Sequence, residues 1–328
     1  MSKITLAVVA AASAATGAGI TALLYSRASI SAPSSSSTRP LPLPGTTKRT
    51  SPSPSPSSLP TAPVDPAGLR QYGFPGPVSD VLQSLPLWGA YDRRLRNPVW
   101  VAEHLTPASL AIRDGDRQNS TFHEDETLPP MFRAKLTDYF RSGYDRGHQV
   151  PAADAKWSQE AMDATFALSN MCPQVGEGFN RDYWAHLEDF CRSLTRRYPS
   201  VRIVTGPLYL PKRDPDGKYR VAYEVIGNPP NVAVPTHFYK VIFAEHGTGP
   251  TDPVALAAFV LPNARIPNDH LLADWEVPLE AVERASGLEF ASQLDPNRRT
   301  RLCQEVKCDL VVRDFKNANR KVQPGRAS

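Results

Sequence analysis

An α+β domain, in which an antiparallel sheet carries one long helix, is predicted from three observations. Residues 201–205, 219–226, 232–244 and 254–260 are rich in β-branched and aromatic residues. Turn-rich stretches such as Asp214-Pro215-Asp216-Gly217 and Asn228-Pro229-Pro230 separate them. Connections that short leave no room for crossover helices, so the strands should pair antiparallel. Within 181–197, by contrast, Trp184, Leu187, Cys191 and Leu194 recur at helical spacing and should face a core. Finally, 328 residues less a non-globular leader leave roughly 250 for one domain, enough for a sizeable core.

Taken from the N-terminus, residues 1–27 read as a targeting or anchor segment. Residues 4–25 carry no charge between Lys3 and Arg27, and the run is long enough to span a bilayer. Its Ala, Gly, Ser and Thr content makes the drive for insertion modest. A basic start, an apolar middle and small residues fit a secretory signal, and a mitochondrial leader with an anchor or a cleaved presequence fits as well. Residues 28–66 are dominated by Ser, Pro and Thr, including the run from Ser51 to Pro56. They lack the apolar residues that offset ordering entropy, so a disordered tether is expected. The main domain should occupy 67–293, followed by a basic extension over 294–328.

Inside the domain, residues 98–105 read as the first strand. Helices are expected at 158–169, capped by Ser158, and at 181–197, with Asn180 at the N-terminus of the second. Leu310-Val311-Val312 reads as an extra strand in the tail. Four cysteines are too few for a disulfide scaffold of this size. Cys303 and Cys308 could pair, but their spacing is not a zinc pattern. All four are taken as structural.

The net charge of +4 and pI near 8.8 permit an anionic partner without demanding one. Clusters say more: Arg93, Arg94 and Arg96; Arg192, Arg196 and Arg197; Arg298, Arg299 and Arg301. They accompany a block at 144–188 that holds the parts of a phosphodiester hydrolase. Such chemistry needs a base for water, a cation for the developing charge and cationic donors for phosphate. His148 supplies a ring that titrates near neutrality, Arg146 a planar fork for phosphate oxygens, and Asn180 and Glu188 hard oxygens suited to Mg²⁺.

Asp145-Arg146-Gly147-His148, then Leu168-Ser169-Asn170 with Pro173-Gln174, then Asn180, Trp184, Leu187 and Glu188, resemble the DNA/RNA non-specific endonucleases of the ββα-metal (His-Me finger) class. The likeness extends to the mitochondrial endonuclease G branch through Trp157-Ser158-Gln159-Glu160, Thr205-Gly206-Pro207-Leu208 and Pro235-Thr236-His237-Phe238-Tyr239-Lys240. It spans about residues 70–292.

What the resemblance implies is specific. His148 is the general base, Asn180 binds Mg²⁺ directly (Mn²⁺ substituting), and Glu188 reaches the metal through water. Arg146 and Arg117 bind phosphate, and Asn170 supports the groups near His148. Arg117 fits the family's upstream arginine better than Arg113. The resemblance implies cleavage of DNA and RNA with 5′-phosphate ends by a homodimer. It also favours the mitochondrial inner membrane, facing the intermembrane space, over secretion. A binding module without catalysis would need a damaged His148 or Asn180, and neither is damaged. Asp145 should order Arg146 or the local turn. An unperturbed His148 would place the acid limb of activity near pH 6.5.

Overall fold

The computed structural model describes residues 78–312 except Thr248. The proposed leader and tether therefore lie outside the described residues. Among the described residues, no helix is long and apolar enough to cross a membrane.

The strands are β1 (Asp80–Ser84), β2 (Leu87–Asp92), β3 (Asn97–Leu105), β4 (Tyr144–His148), β5 (Met171–Val175), β6 (Ser200–Leu208), β7 (Lys212–Arg213), β8 (Tyr219–Arg220), β9 (Val225–Ile226), β10 (Val232–Ala233), β11 (His237–Glu245), β12 (Val254–Pro262), β13 (Glu276–Val277) and β14 (Arg299–Arg301). The helices are α1 (Pro107–Ala111), α2 (Leu136–Tyr139), α3 (Gln159–Ala164), α4 (Tyr183–Leu194), α5 (Leu279–Ser286) and α6 (Leu302–Glu305). The main sheet runs β1-β2-β3-β6-β11-β12-β13, antiparallel throughout, with β14 added parallel to β12. The expected α+β class with an antiparallel core is what the chain adopts.

β11 shows how both faces of the sheet become buried. Phe238 and Ile242 join the core under α4, whereas Tyr239 and Val241 join the core under α5. Alternate side chains point to opposite faces, so a strand covered on both sides reads as a near-continuous apolar run. The predicted face of α4 is correct: Trp184, Leu187, Cys191 and Leu194 are all buried against the sheet.

Several elements differ from expectation. β1 and β2 precede the strand expected to be first. Residues 219–226 form only two short pieces, β8 and β9, each paired in its own two-stranded sheet, with 219–225 exposed. The strand expected over 232–244 divides at Val234-Pro235, where proline cannot donate to a ladder. Ser158 does cap α3, accepting from the Ala161 N–H at 3.0 Å. The helix stops at Ala164, however, and Asn170 Nδ2 takes the Thr165 carbonyl at 2.8 Å as the chain turns into β5. Residues 310–312 form no strand. Cys303 and Cys308 are disulfide-bonded. Leu302 and Cys308 enter the main core, so the sheet and its packing continue past residue 293.

β4 and β5 form a separate antiparallel hairpin, and α4 follows directly. This ββα unit lies outside the main sheet and carries the candidate site.

Candidate active site

β4 presents Arg146 and His148 on one face and Asp145 and Gly147 on the other, as a period of two requires. The hairpin register sets Gly147 opposite Cys172 and His148 opposite Met171. Polar residues form a strand here because β5 and a side-chain clamp fix them, not because of an apolar alternation. Asn170 is that clamp. Its Oδ1 accepts from the Val150 N–H at 3.0 Å, and its Nδ2 donates to the Val150 carbonyl at 3.0 Å. Its own carbonyl accepts from Gln149 N–H at 2.9 Å. The chain is thereby held immediately after His148.

The His148 ring is buried between Phe166, edge-on at 4.9 Å, and Phe122, tilted at 5.6 Å. Burial first, and then the charges of Arg117 and Arg146, lower its pKa to about 3. The ring is therefore neutral at physiological pH, and an acid limb set by it would lie below the 6.5 of an unperturbed ring. Nε2 is sealed from solvent with no partner. Nδ1 is the nitrogen left to meet water.

The two arginines sit on the aromatic walls of this pocket. The Arg146 guanidinium lies 4.2 Å from the centre of Phe122, and that of Arg117 lies 5.5 Å from the centre of Phe166. Both side chains are exposed, with their cationic edges open to an anion. Arg117 begins a short turn that is tied to α3 through the Asp116 N–H to Gln159 Oε1 at 2.9 Å. A loop far upstream is thus brought to His148.

Asn180 is not the helix cap. Asp182 occupies that position, and its carboxylate folds back to the Gly178 N–H at 2.6 Å. Asn180 instead closes the kinked turn Gly176–Asn180, in which Gly178 adopts φ of +80°. Its Nδ2 donates to Asp145 Oδ2 at 2.9 Å. Asp145 also pairs with Arg181, accepting from Nε at 2.7 Å. Burial raises the Asp145 carboxyl, but the hydrogen bonds from Arg181 and Asn180 outweigh it and hold it below the usual range. Of the two roles expected for Asp145, ordering Arg146 or the local turn, the hydrogen bonds show the second: it orders Asn180 and Arg181 at the turn before α4.

Glu188 projects from α4, half-buried. Burial pushes its carboxyl up to about 7, against the opposing charges of Lys240, Arg192 and Arg117. Arg117 acts electrostatically on both Glu188 and His148, so the two belong to one neighbourhood. Phe122 and Phe166 carry no sequence signal of their place beside His148. Arg192 does carry one, standing four residues after Glu188 on the same helical face.

The donor set fits a magnesium-type cation. An ionised carboxylate only accepts, so the bond to Asp145 assigns Nδ2 and leaves Asn180 Oδ1 as a hard oxygen. Among the described residues, no group of three or more His, Cys, Asp or Glu side chains could hold a metal. A cation here would keep most of its waters.

A buried imidazole, two exposed guanidiniums and an oriented amide oxygen gathered at a ββα unit are the parts of a phosphodiester hydrolase. The chain belongs to the DNA/RNA non-specific endonuclease family, whose model matches residues 65–297. It is 63% identical over 258 residues to the mitochondrial nuclease of Saccharomyces cerevisiae, covering 78% of each chain. Against mitochondrial endonuclease G of Bos taurus it is 44% identical over 243 residues, covering 73% of this chain and 79% of the other. A solved EndoG chain, from a complex of EndoG with EndoGI, superposes with a TM-score of 0.65 at 47% identity, covering 74% of this chain and 97% of that one. The chain is accordingly a hydrolytic endonuclease of DNA and RNA.

Proposed function

We propose that this protein is a Mg²⁺-dependent, sugar-non-specific endonuclease of endonuclease G type, leaving 5′-phosphate ends. The observation that carries the reading is His148, buried and neutral between Arg117 and Arg146 with one nitrogen available. With its hydrogen on Nε2, His148 takes a proton from the attacking water at Nδ1. Arg146 and Arg117 bind the scissile phosphate and neutralise the charge that builds on it. Asn180 Oδ1 would hold the cation, with Glu188 reaching it through water; Mn²⁺ has the same preference for oxygen. A metal held there would supply Lewis-acid stabilisation of the negative charge that develops during cleavage. Asn170 keeps the backbone after His148 in place. These groups meet the backbone rather than base edges, which favours cleavage without sequence preference.

Supercoiled DNA, single-stranded DNA and RNA should all be cut with Mg²⁺ and spared with EDTA. Ligation without kinase treatment would establish the 5′-phosphate, and 5′-hydroxyl products would refute this polarity.

Mitochondrial placement at the inner membrane, facing the intermembrane space, is part of the same proposal. Relatives in Saccharomyces cerevisiae and Schizosaccharomyces pombe are named mitochondrial nucleases. The Cys303–Cys308 disulfide suits an oxidising compartment rather than the cytosol. Residues 4–25 would act as the anchor, and the catalytic domain, which extends past residue 293, would function as a homodimer. Fractionation with light scattering on the purified protein tests both. Full-length protein in the culture medium would favour secretion.

A further inference from the structure

Glu103 and Asp154 form a buried carboxyl pair that none of the roles above uses. Each is 6% exposed. Glu103 lies near the end of β3, and Asp154 ends the short turn Ala152–Asp154, six residues after His148. The two carboxyls are within hydrogen-bonding reach of each other. Ionised carboxylates have no hydrogen to share, and Glu103 Oε1, Glu103 Oε2 and Asp154 Oδ2 are sealed from solvent with no other donor. Like charges this close oppose each other's ionisation.

Burial first and then the adjacent Asp154 push the Glu103 carboxyl well above its ordinary range, against the opposing charge of Lys240. Asp154 Oδ1 accepts from Arg192 Nη1 at 2.8 Å, a charge-assisted bond. Arg192 leaves α4 one turn after Glu188, on the same face. A continuous chain of contacts therefore joins the main sheet, the segment running on from His148 and the helix that bears Glu188.

We propose that Glu103 and Asp154 are positioning residues for cleavage. Glu103 donates to Asp154, and Asp154 holds Arg192, which fixes the Glu188 helix against the His148 strand. Neither residue touches substrate. Misplacement by about 1 Å can cost on the order of 100-fold in rate, so a strut of this kind acts on turnover. The pair also borders a cavity of about 270 Å³ lined by His104, Thr106, Ser109 and Trp157. A cation in that cavity is the competing account, and it makes the opposite prediction for an amide at position 103.

The test is steady-state cleavage of duplex DNA by the full chain at saturating Mg²⁺, with melting temperatures measured alongside. Glu103→Gln retains an N–H for Asp154 and should keep kcat within about threefold of the wild type. Glu103→Ala and Asp154→Asn should lower kcat about 10–100-fold, with KM changed only a few-fold, at temperatures well below their melting points. Glu103→Gln as damaging as Glu103→Ala would overturn the proposal in favour of a bound cation. Wild-type kcat in Asp154→Asn would overturn it outright. If the alanine variant does not fold, Glu103→Gln alone decides, and a kcat below about a tenth of wild type overturns the strut. The inference rests on the role given to Glu188. Glu188→Gln measured alone tests that role, so its failure is distinguishable from failure of the strut.

Discussion

Asn180 donates its amide to Asp145 Oδ2 at 2.9 Å, and the same oxygen receives Arg181 Nε at 2.7 Å. Asp145 lies on β4 and Asn180 at the threshold of α4, so one carboxylate ties the strand of His148 to the proposed cation ligand. Removing such an orienting partner typically costs 10–100-fold in metal affinity or activity. Asp145→Ala should raise the Mg²⁺ concentration for half-maximal rate about 10–100-fold, with much of the rate recovered at high Mg²⁺. Asp145→Asn, which can still accept, should be milder. A rate against Mg²⁺ titration checks this, and an unshifted midpoint in Asp145→Ala would sever the proposed link.

His148→Ala should abolish turnover while leaving DNA affinity within a few-fold, since affinity rests on the arginines. Cleavage at a comparable rate would remove His148 as the base. The lowered pKa also makes a stability prediction. Folded His148 resists protonation down to about 3, whereas the unfolded ring accepts a proton near 6.5. Between those values the unfolded chain binds more protons, so this ring's contribution to stability falls as pH falls from about 6.5 toward 3. Denaturant melts of metal-free protein from pH 7.5 to 4.5 should show a shallower loss in His148→Ala than in wild type. Parallel pH curves would mean that the ring is not held neutral by burial.

Much of this site is legible in the sequence because its parts fall within one stretch, and because the α4 face repeats with a helical period. What escapes is long-range. Phe122 and Phe166 wall His148 from two different segments, and Glu103 meets Asp154 from across the fold. No local pattern signals such pairings. The β4–β5 hairpin is equally silent as secondary structure, since Asp145-Arg146-Gly147-His148 carries no apolar alternation and is set by its partner strand. The helix after Ser158 ends sooner than its sequence suggests because its stop is a side-chain contact from Asn170, not a glycine or proline.

Arg117→Ala and Arg146→Ala should weaken binding of duplex DNA, single-stranded DNA and RNA alike. Removing one phosphate-neutralising arginine makes the slope of log affinity against log salt shallower by about one unit. Affinities measured at several salt concentrations test this. Loss of RNA cleavage with DNA cleavage intact would instead indicate reading of the 2′-hydroxyl.

Gly147→Ala should damage the site through the neighbouring strand. A Cβ at this position would lie 2.0 Å from Gln174 Oε1 and 2.3 Å from Gln174 Cδ. Gln174 is fully buried on β5, so its side chain has no solvent to retreat into. Overpacking of this kind typically costs about 1–3 kcal/mol. Either Gln174 or β4 must move, and β4 carries Arg146 and His148 on either side of the glycine. We expect a lowered melting temperature together with a kcat reduced on the order of 100-fold, the scale set by misplacement of about 1 Å. The carboxamide of Gln174 has no hydrogen-bond partner, so removing it sacrifices packing alone. Gln174→Ala in the Gly147→Ala background should therefore recover activity, a coupling that a double-mutant cycle reads directly. Independent, additive losses from the two substitutions would place the cost of Gly147→Ala somewhere other than this contact.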